Sequence, residues 1–162
     1  MDNEVFGCQK VVEIMEQIHH TLEEYEKQTD SMVNADLETL QRGLIARNEL
    51  IETLEDLKLR LDEVVNFEQD EEHRLLKALV NGSYVNAQLD DDHKKIQFLQ
   101  RSILIVKQRI LDKDAVISGQ FRNQSIDSRN ELAQLKQTKQ KIGYYNSATV
   151  NRATGQSLNK NL

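Results

Sequence analysis

Apolar residues recur at alternating spacings of three and four over long stretches of this 162-residue chain, and no proline interrupts them. This spacing places apolar side chains on one face of an α-helix and repeats every seven residues, as it does in coiled coils. The two clearest seams are Cys8, Val11, Met15, Ile18, Leu22 and Tyr25, and later Leu89, Ile96, Leu99, Ile103, Val106, Ile110 and Ile117. The pattern predicts an all-α protein, an elongated antiparallel helical bundle with coiled-coil-like packing.

Turn and cap residues divide the chain into four predicted helices. Asn34 to Asp36 predict a turn and a helix N-cap, and Gly82 is a residue type that ends helices. Asp90 to Asp92 suit a helix start, because the helix macrodipole stabilises negative charge there. The predicted helices cover about residues 4–29, 36–66, 69–81 and 90–142, within a bundle spanning 1–145. Residues 146–162, rich in Asn, Ser, Thr and Gly, predict a disordered polar tail.

The second and last predicted helices carry wide or long apolar stripes. A wide stripe on the second helix predicts contact with more than one neighbouring helix. That stripe consists of Leu37, Leu40, Leu44, Ile51, Leu54, Leu61 and Val65, widened by Ile45, Leu50, Leu57 and Val64. The last helix is the longest, with Gly119 as its predicted flex point. We expect part of its stripe, from Ile103 to Ile142, to be uncovered.

Charge is divided unequally along the chain. Residues 1–92 carry 23 acidic and 8 basic side chains, whereas residues 93–162 carry 4 and 13, so the formal charges are −15 and +9. Either the basic half folds back on the acidic half, or it faces an anionic partner. Because the positive charges are spaced out rather than clustered, we favour the fold-back.

The titratable residues predict neither an enzyme nor a cofactor or metal site. Three pairs have the i, i+3 spacing of metal-ligand pairs in helical bundles: Glu16/His19, Asp70/His73 and Asp90/His93. The first pair falls off the apolar seam and the others lie near helix ends, so all are expected on the solvated surface. The single Cys8 lies on the seam, where a small buried hydrophobe is the default.

Nucleic acids and membranes are not predicted partners. The sequence pI of about 5.3 is acidic, and the basic half has few aromatic residues for stacking on bases. No stretch approaches the roughly 20 apolar residues of a membrane span. The acidic residues near Met1 do not resemble a signal peptide, and the predicted location is the cytoplasm.

Two segments carry a family resemblance. The segment from Asn34 to Ile51 combines an acidic residue, a ladder of leucines and an Arg-x-x-Leu-Ile step. It resembles the opening of the second helix in flagellar type III export chaperones of the FlgN/FliT kind. Residues 131–146, ELAQLKQTKQKIGYYN, look like the close of the last helix in these chaperones, which ends in a basic run and a tyrosine. The likeness in length and helix order covers most of residues 1–146.

The resemblance implies a cytoplasmic chaperone without ATPase activity. Such a chaperone would bind a late flagellar subunit, either a hook–filament junction protein or the filament cap, and keep it soluble for secretion at the export gate. Tyr144 or Tyr145 would correspond to the tyrosine that is linked to docking at that gate.

The predicted partner-binding residues follow the last helix. They are Ile103, Val106, Ile110, Ile117, Phe121, Leu132, Leu135, Ile142, Tyr144 and Tyr145. The alternative function is a structural coiled-coil protein that self-assembles and has no export role. The sequence leaves open whether the chain is a monomer or a homodimer, which client it binds, and whether the end of the last helix binds a client or autoinhibits.

Overall fold

A computed structural model describes the backbone of residues 2–160 and the side-chain surroundings of residues 7–143. Over that backbone range the chain forms four α-helices and no strand, which confirms the all-α prediction. The helices are α1 (Asp2–Met32), α2 (Leu37–Val65), α3 (Glu71–Val80) and α4 (Asp91–Lys160). The contacts divide the chain into two compact units, Met1–Ile117 and Ser118–Leu162.

The end of α4 differs from its predicted position near residue 142. The backbone stays helical to Lys160, because no proline follows and a glycine such as Gly143 is tolerated inside a helix at a cost of about 1 kcal/mol. The predicted disordered tail, residues 146–162, lies outside the residues whose side chains are described, and it stays a prediction.

An aspartate caps the start of each of the three later helices. The side chain of Asp36 accepts a hydrogen bond from the backbone N–H of Thr39 at 2.7 Å. Asp70 and Asp90 accept equivalent bonds from the residues three positions on, at 2.8 and 2.9 Å. Each bond satisfies an N–H group that has no partner within its own helix, so the aspartates fix where the helices begin.

Gly82 ends α3, as the sequence predicted. Its φ of 70° lies in the left-handed region, where glycine has no side chain to clash. The N–H of Gly82 donates to the carbonyl of Leu79 at 3.1 Å, and the N–H of Ser83 donates to Ala78 at 2.9 Å. These two bonds form a Schellman motif, which reverses the chain before α4.

The first unit has one hydrophobic core, to which all four helices contribute. The predicted seam of α1 is confirmed, because four of its six residues are buried and Ile18 and Tyr25 are half-buried. The core residues include Val11, Met15 and Leu22 of α1, Leu57, Leu61 and Val65 of α2, Leu76 and Leu79 of α3, and Ile96, Ile103, Val106 and Ile110 of α4. Burial of apolar area on this scale is the main force that holds the helices together.

The ion pairs give the direction of α4. Lys95 lies 2.7 Å from Glu16, and Lys113 lies 2.5 Å from Asp30, so residue numbers rise together along α1 and α4. The two helices are therefore parallel, while α2 runs antiparallel to both. For Lys95, Arg109 and Lys113, the predicted fold-back of basic side chains on the acidic half is confirmed.

A glycine brings α1 and α2 into close contact near the turn that joins them. Gly43 is buried, and a Cβ atom at this position would lie 2.7 Å from Sδ of Met32 and closer still to Cγ. Met32 is itself buried. The close packing therefore depends on the missing side chain of Gly43.

Residues 118–143 of the second unit all lie in α4. Their apolar side chains are largely exposed, including Phe121, Leu132, Leu135 and Ile142. We call these four residues the terminal stripe.

Candidate functional site

A groove of about 460 Å³ lies between α1, α2 and α4 in the first unit. Its lining is mainly apolar. The apolar lining residues are Met15, Ile18 and Leu22 of α1, Ile51, Leu54 and Leu61 of α2, Val80 of α3, and Ile103 and Leu104 of α4. Met15 is almost fully buried whereas Leu104 is 53% exposed, so the groove runs from the core to the surface.

The length of the groove follows from the helices that line it. The α2 wall extends from Ile51 to Asp62, which is about 16 Å at 1.5 Å per residue. The α1 residues from Met15 to Leu22 span about 10 Å by the same rule. The groove is thus as long as two to three turns of a helix.

Polar side chains form the rim of the groove. On α2 the rim residues are Glu55, Lys58 and Asp62, and on α4 they are Gln100 and Lys107. Both signs of charge are present, so the rim can pair with the mixed polar flanks of an amphipathic segment. An apolar centre with a polar rim is the usual anatomy of a protein-binding surface.

The neighbouring helices cover α2 only in part. Leu57, Leu61 and Val65 in its second half are buried, whereas Leu44 and Ile45 in its first half are exposed. The wide stripe of α2 was predicted to contact more than one helix. In its first half, much of that stripe instead faces solvent, and Arg47 there contacts Asp114 of α4.

Arg47 links three helices one turn beyond Ile51. Its guanidinium donates to both carboxylate oxygens of Asp114 on α4, at 2.7 and 3.0 Å. It also donates to the hydroxyl of Tyr25 and lies 4.4 Å from the centre of that ring. Burial by itself lowers the pKa of Arg47, but the bonds to Asp114 and Tyr25 outweigh burial and raise it. The ion pair between Arg47 and Asp114 holds α2 and α4 together at this end.

Glu26 joins α1 to α4 on the outer face. Its carboxylate accepts hydrogen bonds at 2.8 Å from both the guanidinium of Arg109 and the ammonium of Lys113. These bonds lower the pKa of Glu26 to about 2. The side chain therefore stays ionised through the range in which most carboxylates become protonated.

The structure separates the predicted partner-binding residues into four groups. Ile103, Val106 and Ile110 are buried in the core, so the prediction that the uncovered stripe begins at Ile103 was wrong. Ile117 is half-buried. Phe121, Leu132, Leu135 and Ile142 are exposed. Tyr144 and Tyr145 lie outside the residues whose side chains are described.

The prediction that His73 and His93 are solvated was wrong. Each is only 8% exposed. In both, ring nitrogen Nδ1 lies close to the capping aspartate, at 2.6 Å from Asp70 and 2.7 Å from Asp90. Packing of α3 and α4 against α1 covers the rings, and helical spacing alone does not report such packing.

The third pair with this spacing, Glu16 and His19, has separate partners. Nδ1 of His19 lies 3.9 Å from Glu23, while Glu16 pairs with Lys95 at 2.7 Å. Glu16 and His19 therefore contact different partners and do not form one site. The absence of catalysis stays a prediction.

Sequence reasoning assigned the residues of the groove to the core and missed their role as a lining. Ile18, Ile51 and Leu54 all belonged to predicted seams. The width of the α2 stripe was the sequence feature that indicated a groove, because the stripe has more apolar surface than one neighbouring helix covers.

Comparison with models of known protein families, with curated proteins and with solved structures found no match to this chain. The resemblance to flagellar export chaperones therefore stays a prediction. Among the described residues, no helix combines the length and apolar character that crossing a membrane requires.

Proposed function

We propose that this chain binds an amphipathic helix of another protein in the groove between α1, α2 and α4. The observation that carries the proposal is the groove itself, which is apolar along its centre and charged along its rim. Helix-in-groove recognition places apolar residues at positions i, i+3 or i+4, and i+7 into such a surface. The groove matches a segment of two to three turns.

The class of client is inferred from the resemblance of residues 34–51 and 131–146. We propose a late flagellar export substrate, either a hook–filament junction protein or the filament cap. In this proposal the chain works in the cytoplasm, holds a terminal helix of its client, and releases the client at the export gate. Tyr144 or Tyr145 would contact the gate.

Co-purification from a flagellated cell that expresses these subunits tests the proposal. We expect a junction or cap protein to co-purify with the wild-type chain. Leu104→Glu should abolish this, because it places a carboxylate on the wall of the apolar groove. Leu104 is 53% exposed, so the substitution leaves the core intact.

Ile105→Glu is the matched control. Ile105 is the next residue of α4 and is 57% exposed, but it does not line the groove. This variant should co-purify with the client as the wild type does. Failure of the wild-type chain to bind any junction or cap protein would contradict the export role. Equal binding of the client by Leu104→Glu and Ile105→Glu would contradict binding in the groove.

The terminal stripe favours the second candidate function, self-assembly. Phe121, Leu135 and Ile142 share one face of α4 at spacings of seven or fourteen residues, and all three are exposed. Sedimentation of the purified chain separates the two functions. A monomer favours the chaperone, whereas a salt-resistant dimer that Leu135→Lys dissociates favours a scaffold.

A further inference from the structure

Three side chains from three helices meet beside the start of α4, away from the groove. They are Cys8 of α1, Glu72 of α3 and His93 of α4, and their sulfur, oxygen and nitrogen atoms all lie within 4.8 Å of one another. Cys8 is 4% exposed and His93 is 8% exposed. The side chain of Glu72 is 19% exposed. This sheltered cluster takes no part in the proposed binding of a helix.

Hydrogen bonds orient the ring of His93 toward the cluster. Nε2 lies 2.7 Å from Oε1 of Glu72, and Nδ1 lies 2.7 Å from Oδ1 of Asp90. Asp90 is fixed in turn, because the same oxygen caps α4 by accepting the backbone N–H of His93. The ring therefore presents Nε2 to Glu72 and Cys8.

The thiol of Cys8 is buried without a hydrogen bond to any described residue. Burial, followed by the negative charges of Asp92, Glu72 and Asp90, raises its pKa to about 12. The carboxylate of Glu72 and the ring of His93 lie within 4.8 Å of this sulfur, at a seam position that packing alone would fill with apolar neighbours. The arrangement concentrates negative potential on a soft donor atom.

We propose that Cys8, Glu72 and His93 bind one zinc ion. Thiolate, imidazole and carboxylate are the three ligand types that zinc takes from proteins, at about 2.0–2.3 Å. Hard cations such as Mg²⁺ and Ca²⁺ take oxygen ligands instead, so the sulfur and nitrogen favour zinc. A water molecule would complete four-coordination.

Asp90 acts as the supporting residue of this site. A zinc-bound histidine donates its second ring N–H to a carboxylate or carbonyl, which fixes the tautomer and strengthens the ligand. The 2.7 Å contact between Asp90 and Nδ1 already provides this arrangement. Tetrahedral ligands stand about 3.4–3.7 Å apart, so Glu72 and Nε2 must separate slightly from their present 2.7 Å.

Zinc binding at this site releases two protons. One leaves the thiol of Cys8 as the Zn–S bond forms. The other is the proton shared between Nε2 of His93 and Oε1 of Glu72, since two lone pairs at 2.7 Å would repel.

The chain contains its own matched control. His73 repeats the geometry of His93, since it is 8% exposed and its Nδ1 lies 2.6 Å from the capping Asp70. Glu68, Asp70 and His73 also gather three donor atoms, but no thiol is among them. A site that depends on Cys8 is thus distinguishable from simple histidine and carboxylate binding.

The test uses the full chain, reduced and freed of metal with a chelator. Titration with Zn²⁺ should show that each chain binds one zinc ion tightly. Co²⁺ in its place should give a thiolate-to-cobalt charge-transfer band and the visible bands of four-coordinate cobalt. Cys8→Ser should abolish the charge-transfer band. Asp90→Asn keeps a good helix cap and should weaken zinc binding by about 10–100-fold.

His73→Gln and Asp70→Asn should leave the zinc affinity and the cobalt spectrum unchanged. The proposal is overturned if the wild-type chain binds no stoichiometric zinc, or binds cobalt without a thiolate band. Loss of binding in His73→Gln would also overturn it, because the ion would then lie at the other histidine. The cobalt spectrum of the wild-type chain depends on no variant, so misfolding of a variant does not affect it.

Discussion

Single side chains join α1 to α4 along the outer face of the first unit. Glu26 accepts hydrogen bonds from both Arg109 and Lys113, and Lys113 also contacts Asp30 at 2.5 Å. The carboxylate is well covered, with a side-chain exposure of 12%. An ion pair in such a setting contributes more than a fully solvated one.

The lowered pKa of Glu26 predicts a pH dependence of stability. Between pH 4.5 and about 2 the unfolded chain binds a proton at this residue and the folded chain does not. The contribution of Glu26 is therefore complete above pH 4.5 and is lost as the pH falls through this window. Glu26→Gln should destabilise the fold by about 1–2 kcal/mol at neutral pH, because solvent screens the half-exposed Arg109.

Urea denaturation at several pH values measures this effect. The difference in free energy of unfolding between wild type and Glu26→Gln should shrink as the pH falls from 4.5 towards 2. Glu13→Gln, at an exposed position on the same helix, serves as the control. A difference that stays constant across the window would contradict the assigned ion pairs.

Leu76 tests the core at the residue scale. It is fully buried, at 0% exposure, in the short helix α3. Leu76→Ala should lower the free energy of unfolding by about 2–5 kcal/mol, because it removes apolar contacts and leaves a cavity. Leu59→Ala, at a position 64% exposed, should stay within about 0.5 kcal/mol of wild type. Similar losses in the two variants, measured by urea denaturation, would place α3 outside the core.

At the scale of helices, sequence reasoning succeeded where a local signal determines the structure. Asp36 and Gly82 mark helix ends through bonds to residues three to five positions away, so α2 and α3 were predicted within two residues. The backbone of α4 instead continues through Gly143, which was predicted to end it. Local chemistry therefore explains most helix boundaries.

Contacts between helices account for what the sequence did not reveal. Leu44 and Ile51 share a stripe with Leu61, yet only Leu61 is buried, because coverage depends on where α4 lies. Cys8, Glu72 and His93 are far apart in the chain and meet only after three helices pack. Periodicity identifies which face of a helix is apolar, but it does not identify the neighbour.

Gly43 provides a prediction about the packing of α1 on α2. Gly43→Ala should lower the free energy of unfolding by about 1–2 kcal/mol, because crowding against buried Met32 exceeds the gain in helix propensity. Gly119→Ala is the matched control, since a Cβ there meets no atom within 4 Å. Thermal unfolding should show a lower midpoint for Gly43→Ala only. An unchanged midpoint in Gly43→Ala would mean that the helices are not in close contact there.

At the scale of the first unit, the charge asymmetry of the sequence has a structural role. Lys95, Arg109 and Lys113 of α4 pair with acidic residues of α1, so α4 is held parallel to α1. The groove lies on another side of α4, where Gln100 and Lys107 form the rim. Different faces of α4 thus pair with acidic residues of α1, pack in the core and line the groove.

The affinity for a helical peptide tests the central claim, that the groove binds a helix, most directly. Fluorescence anisotropy with a labelled terminal-helix peptide of the co-purified client gives this affinity. Leu104→Glu should bind at least about 10-fold more weakly than wild type, since burying an unpaired carboxylate costs more than about 1.4 kcal/mol. Ile105→Glu should bind within about 2-fold of wild type. Equal affinities of wild type and Leu104→Glu, or an equal loss in both variants, would contradict binding in the groove.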